Sequence, residues 1–347
     1  MRAVHAEKFD VPDGYLNTAS IGVPPSAVAD AVAAAVDAWR GGAARPPDYD
    51  APVERARAGF AALVGVAPDR VALGAAVSGQ LGLIAASLPE RARVLVAEGE
   101  FTSVTWPFAA QHRRGVTVEE VPLERIGERA PEFDLVAVSV VQSADGRVVD
   151  LAALRAAREA GCAVVLDATQ SLGWFDADLT WADAVLVAGY KWLLSPRGAA
   201  WMALPAGSRL EPVAHQAGWS AGADQWESTY GLPLRLAEGP RGLGISPAWL
   251  SHVGAAVALP WLAGLDRAAV QAHCVGLADA FRAELGMGPG GSAIVSVRRE
   301  GAVERLTSAG VVVSARAGAA RLAFALYNTE ADVEMALRAL AASQPAT

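Results

Sequence analysis

Six short apolar runs, at 71–73, 94–97, 135–141, 163–166, 184–188 and 199–204, punctuate the middle of the chain and leave little freedom in its fold. They are continuous rather than alternating, and helical patterns such as 78–88 and 150–160 separate several of them. Strands that are apolar on both faces must be covered on both faces, and the intervening helices of a parallel sheet supply that cover. The expectation is a large α/β domain over 15–245, with a mainly parallel sheet sandwiched by helices. Ahead of it, Ser26 reads as a helix N-cap, with Val28, Val32, Val36 and Trp39 at helical spacing.

Past Gly244 the texture changes. Two long helical segments, about 247–265 and 267–285, precede a glycine-rich break at 286–291 and short strands at 294–297, 311–314 and 321–326. A last helix opens with Thr329-x-x-Asp332, a start resembling a capping box. This predicts a smaller α+β domain over 246–347. Residues 1–14 form a polar tail, for which packing on the small domain is one option.

The chain carries 29 Lys+Arg against 37 Asp+Glu, and of the basic residues only Lys8 and Lys191 are lysines. Arginine is a permanent cation, whereas lysine can be desolvated and used as an amine nucleophile, so imine chemistry has two candidates. A net charge of −8 with no basic stripe argues against a nucleic-acid partner. The greasy stretch 248–265 is interrupted by His252 and Pro260, which argues against a membrane span. Cys162 and Cys274 form no paired framework, and the five histidines show no metal-ligand spacing, so a cytoplasmic protein without a metal is expected.

Asp167 closes one apolar run and Lys191 follows the next, between Tyr190 and Trp192. Strand ends of open α/β sheets are where ligands bind, so carboxylate and amine can face one crevice. Pyridoxal phosphate needs such a pair: a lysine to attach it and a carboxylate to keep its pyridine nitrogen protonated. Singly, each residue also reads as an ordinary loop carboxylate or a solvated surface charge.

Asp167-x-x-Gln170-x-x-Gly173, then a strand, then Gly189-Tyr190-Lys191-Trp192 resembles the class V aminotransferase family of fold-type I pyridoxal-phosphate enzymes. The likeness runs from Tyr15 to about Leu340. It implies a phosphate-binding turn at Ser78-Gly79-Gln80, where a helix N-terminus faces an anion. It also implies Phe101 stacked on the cofactor ring, and Gln142 and Gln170 near the cofactor's 3′-oxygen, though either glutamine also reads as a polar loop residue. Tyr190 and Ala188 stand where the family places further phosphate ligands, a histidine and a serine. Ser246 matches a hydroxyl residue supplied by the neighbouring subunit, which would make the active unit a homodimer; a simple N-cap is the other reading. Arg321, seven residues before Asn328, matches the arginine that pairs with an amino-acid substrate's carboxylate, and Asn17 matches a place where the family also touches the carboxylate side.

Desulfurases of the family take up sulfur on a cysteine shortly before that arginine, and 310–321 has none, which argues against a persulfide-forming enzyme. The remaining chemistry needs Lys191 as base. The opening segment 15–22, the run after Lys191 and Ser246-Pro247-Ala248-Trp249 look most like a subgroup of C–S lyases acting on hercynylcysteine S-oxide in ergothioneine formation. An epimerase of the isopenicillin N epimerase kind, an aminotransferase or a desulfurase-like enzyme are the alternatives. A dinucleotide-binding enzyme is disfavoured, because Gly74-x4-Gly79-x2-Gly82 is not the required fingerprint.

Overall fold

The computed structural model describes residues 2–341. A short N-terminal hairpin, β1 (Arg2–Val4) and β2 (Glu7–Phe9), leads through helices α1 (Ser26–Arg40) and α2 (Asp50–Val64) into the main sheet. Its strands are β3 (Val71–Gly74), β4 (Arg93–Ala97), β5 (Thr117–Val121), β6 (Leu135–Ser139), β7 (Ala163–Asp167), β8 (Ala184–Ala188) and β9 (Ala200–Ala203), in the order β3-β9-β8-β7-β6-β4-β5. Five neighbours, β8 to β5, run parallel, and β9 is antiparallel to both β3 and β8. The crossovers carry α3 (Val77–Ser87), α4 (Thr102–Ala109), the short α5 (Ile126–Arg129) and α6 (Leu151–Glu159).

Every residue of β3 and β6 is buried, which is why their sequences read as unbroken apolar runs. Burying each Val or Leu stabilises the fold by about 1.5–3 kcal/mol against leaving it exposed. Edge strand β5, Thr117-Val-Glu-Glu-Val121, is half exposed and carries a glutamate on each face, so no continuous run betrays it. Helix α6 begins as expected, with the Asp150 carboxylate accepting from the Ala153 amide at 2.9 Å. Helix α1 does not: Pro25 is its N-cap and Ser26 its first residue, because the Ser26 hydroxyl is engaged with the Lys8 carbonyl at 3.0 Å.

Two helices, α7 (Trp249–Ala263) and α8 (Arg267–Glu284), lead to a second sheet of β10 (Ile294–Val297), β11 (Ser314–Arg316) and β12 (Ala319–Ala323), interrupted by α9 (Ala302–Ser308) and followed by α10 (Glu330–Ala341). The order is β10-β12-β11, antiparallel throughout. Strand β11 starts at Ser314, where the expected run ended, since the exposed Ser314-Ala-Arg316 stretch pairs across a turn rather than packing as a core strand. Helix α7 packs on α1 and α2, while α8 packs on β10, α9 on β12, and α10 on α8 and α9. The N-terminal segment joins the small sheet: Leu16 is part of its core, and Arg2 donates to both oxygens of Asp332 on α10. Among the described residues no single helix is long and apolar enough to cross a membrane.

Candidate active site

A cavity of about 280 Å³ opens at the carboxyl ends of the parallel strands. Its wall is contributed by the turn after β3 (Ala75–Ser78), the segment after β4 (Phe101–Ser103), Ser139 and Ser143 around the end of β6, Asp167, Thr169 and Gln170 after β7, and Ala188, Tyr190, Lys191 and Arg197 after β8. Ends of consecutive parallel strands converge there because their connections all leave from one edge of the sheet. Sequence positions separated by more than a hundred residues thus share one space.

Asp167 ends β7 with its carboxylate almost fully buried. One oxygen accepts from the Thr169 amide at 2.9 Å, and no basic side chain pairs with it among the described residues. Burial pushes this carboxyl above its ordinary value, partly offset by Thr169 and by the field of Lys191. Gln170 beside it is clamped: its side-chain amide donates to the Ala19 carbonyl at 3.0 Å and the Ser143 hydroxyl at 3.1 Å, and its oxygen accepts from Trp192 Nε1 at 2.8 Å.

Lys191 is 6% exposed and makes no ion pair among the described residues. Its Nζ stands 5.3 Å from the Phe101 ring centroid and 5.7 Å from that of Tyr190. Two glycines let the chain close over this loop. A Cβ on Gly22 would lie 2.0 Å from the Lys191 carbonyl oxygen, and one on Gly173, at φ +111°, would lie 2.6 Å from that of Trp192. Burial pulls the Lys191 amine down to about 8, against a smaller opposing effect of Asp167. At pH 7.5 roughly a quarter of such amines are neutral, against about one in a thousand for an ordinary lysine. Capture of an aldehyde by the apoprotein requires the neutral amine, so its rate should climb up to about pH 8 and then level off. Stopped-flow absorbance against pH measures it; a climb continuing to pH 10 would contradict the depressed value.

Arg321, on β12, is 1% exposed. Its guanidinium donates to the Ser143 carbonyl at 2.5 Å, to the hydroxyls of Ser143 at 3.1 Å and Ser20 at 2.8 Å, and to Ser314 at 3.2 Å. No carboxylate accepts from it among the described residues, so a buried cation is held in place by neutral groups alone. Burial and the nearby Arg316 push it down to about 10, which still leaves it charged at neutral pH. Asn17 bridges to Ala323 on the same strand, and its side-chain oxygen is buried without a partner. Ser143, touching both Gln170 and Arg321, joins the carboxylate side of the cavity to the arginine.

Of the residues singled out in the sequence, Ser78, Phe101, Asp167, Gln170, Tyr190 and Lys191 line this cavity. Gln142 is turned the other way: its amide donates to buried Glu100 at 2.9 Å, which also accepts from the Ser139 amide and hydroxyl. Gln80 points under the sheet, donating to the Ala72 carbonyl at 3.2 Å, and Gly79 is exposed at the turn. Ser246 is exposed on the loop before α7 and caps nothing, since the N-cap of that helix is Ala248. Ser20 lies inside segment 15–22 and Arg197 in the run after Lys191 without a role of its own there, and Ser143 and Ser314 carry no motif.

The protein-family model for aminotransferase class-V matches residues 34–304. The chain belongs to this family. A curated relative, isopenicillin N epimerase of Streptomyces clavuligerus, is 30% identical over 57% of the chain, and the match spans 58% of that protein's length. The uncharacterised aminotransferase YcbU of Bacillus subtilis is 28% identical over 83% of both chains. Among solved structures, the cystine C–S lyase C-DES in complex with cysteine persulfide superimposes with a TM-score of 0.85 at 18% identity, covering 96% of this chain and 99% of that one. The cysteine desulfurase CsdA of Escherichia coli gives 0.79 at 20% identity, covering 96% and 95%. These structures share the fold-type I architecture.

The cofactor of this class V chain is pyridoxal 5′-phosphate, and the site suits it. Among the described residues Asp167 is a buried carboxylate with no cation paired to it, and a protonated pyridine nitrogen would supply one. Lys191 is a buried amine without a hydrogen-bond or ion-pair partner among the described residues, and the Phe101 ring beside it would offer a flat stacking face. Helix α3 starts without any side-chain cap, leaving its first-turn N–H groups for a phosphate.

Proposed function

We propose that the protein is a carbon–sulfur lyase that eliminates the β-substituent of hercynylcysteine S-oxide. Bound pyridoxal phosphate supplies an electron sink that acidifies the substrate's Cα–H. Arg321 holds the α-carboxylate, Asp167 keeps the pyridine nitrogen protonated, and Lys191 Nζ takes the Cα proton. The Cβ–S bond then breaks, releasing the sulfur as a sulfenic acid and the three-carbon fragment as aminoacrylate, which water converts to pyruvate and ammonia. An external thiol supplies the two electrons that reduce the sulfenic acid to ergothioneine.

The observation that carries this reading is a site with one buried amine, a buried guanidinium that no carboxylate neutralises and, among the described residues, no thiol to accept sulfur. Cys162 and Cys274 are both buried, and burial pushes the Cys162 thiol up to about 12 and the Cys274 thiol higher still. A sulfenate leaves from a β-carbon more readily than a thiolate, so an enzyme without an acceptor cysteine suits a sulfoxide. Arg316 supports the substrate class. It sits two residues after Ser314, which pairs with Arg321, so both arginines project from one face of the small sheet. The hercynyl group carries a carboxylate of its own for such a second cation. Arg316→Gln should raise KM for hercynylcysteine S-oxide several-fold while leaving that for S-methylcysteine S-oxide unchanged, as steady-state pyruvate assays would show.

Holoenzyme with hercynylcysteine S-oxide and a thiol should yield pyruvate, ammonia and ergothioneine in equal amounts. Absence of pyruvate, with the substrate merely inverted at Cα, would establish the second reading, epimerisation. The likeness to isopenicillin N epimerase favours that alternative, with the Tyr190 phenol returning the proton. We also infer a homodimer in a reducing, cytoplasmic setting. Exposed Ser246, beside an apolar groove lined by Trp39, Tyr49 and Trp249, supports a subunit face there. Light scattering at a single-chain mass would overturn it.

A further inference from the structure

We propose that Arg197 supplies the full positive charge that holds the cofactor's phosphate, a role that the residues beside Lys191 cannot fill. A phosphate monoester carries close to two negative charges near neutral pH. The uncapped start of α3 offers backbone N–H groups and about half a positive charge, and Ser78 adds a hydroxyl. Elsewhere in the lining, Ala188 has no side-chain donor and Tyr190 has a single phenol. Neither lysine is available, since Lys191 is committed to the aldehyde and Lys8 is exposed on β2.

Arg197 lines the same cavity as Ala75–Ser78. Its guanidinium carbon stands 5.4 Å from the Tyr190 ring centroid, the ring that Lys191 Nζ also approaches. Unlike Arg158 and Arg209, which are tied to Asp183, it donates no hydrogen bond and forms no ion pair among the described residues. Its backbone is nonetheless fixed: the Arg197 carbonyl accepts from the Ser251 hydroxyl on α7 at 2.8 Å, with Pro196 before it and Gly198 after. An exposed, aromatic-backed guanidinium on a held backbone, with its donors free, is suited to bidentate binding of phosphate oxygens.

The test titrates apoprotein with pyridoxal phosphate and, separately, with pyridoxal, which lacks the phosphate, following absorbance. Arg197→Gln should weaken pyridoxal phosphate binding at least tenfold and leave pyridoxal binding unchanged, and Arg197→Lys should recover most of the loss. Equal weakening of both ligands, or no weakening of either, would overturn the assignment. Because Arg197→Lys keeps charge and bulk, its failure to bind pyridoxal would mark a folding defect, and the wild-type 31P signal of bound cofactor then decides. A phosphate that stays dianionic below pH 6 supports the cation, and one titrating as in free solution overturns it. The proposal rests on the cofactor and not on the lyase reading, so an inactive but normally loading enzyme leaves it standing.

Discussion

Lys191→Ala is expected to retain no more than about a thousandth of wild-type turnover, and borohydride is no longer expected to fix the cofactor to the chain. General-base removal alone costs roughly a hundred- to ten-thousandfold, and on the reading proposed above the same amine would also anchor the cofactor. No substitute stands by. Lys8 is exposed on β2, and the arginines around the site are too basic to act as amine nucleophiles. The variant should still fold, because among the described residues the buried amine makes no hydrogen bond or ion pair whose loss would leave a partner unsatisfied. It should also still take up cofactor non-covalently through Asp167 and the start of α3. Mass spectrometry after borohydride and a pyruvate assay read the two effects separately. A covalent adduct on the variant would move the anchor elsewhere.

What could be read from the sequence followed burial closely. Strands β3, β4, β6, β7, β8 and β9 announce themselves because both of their faces are dry, and unbroken apolar runs have few other uses. Strand β5 and the N-terminal hairpin are half wet, and with Glu119 and Glu120 in place no run marks the edge. Asp167 and Lys191 were legible because each follows a dry strand and because lysine is so scarce in this chain. The cage around Arg321 was not. Ser143 and Ser20 lie 178 and 301 residues from it along the chain, and a serine in a loop has no periodicity to give it away. Gln142 shows the opposite failure. Its position suggested the cavity, but the buried Glu100 carboxylate demands donors, and the Gln142 amide is one of those that satisfy it.

That cage sets up the second large effect. Arg321→Met should lower kcat/KM by roughly a hundred- to a thousandfold, the factor corresponding to the loss of about 3–4 kcal/mol from a desolvated charge pair. The guanidinium is 1% exposed, and its partners are three serines. Neutral hydroxyls orient a cation but do not neutralise it, so a carboxylate entering the site meets an undischarged, preorganised partner. Most of the loss should therefore appear in KM, because the contact exists before the Cα proton moves. A carboxamide analogue of the substrate separates this role from a structural one. Wild-type enzyme should discriminate against the amide by about the factor that the substitution costs, and the variant should treat acid and amide nearly alike. If Arg321→Met instead kept full preference for the acid, the carboxylate would have to be bound elsewhere, with Arg316 as the next cation on that face.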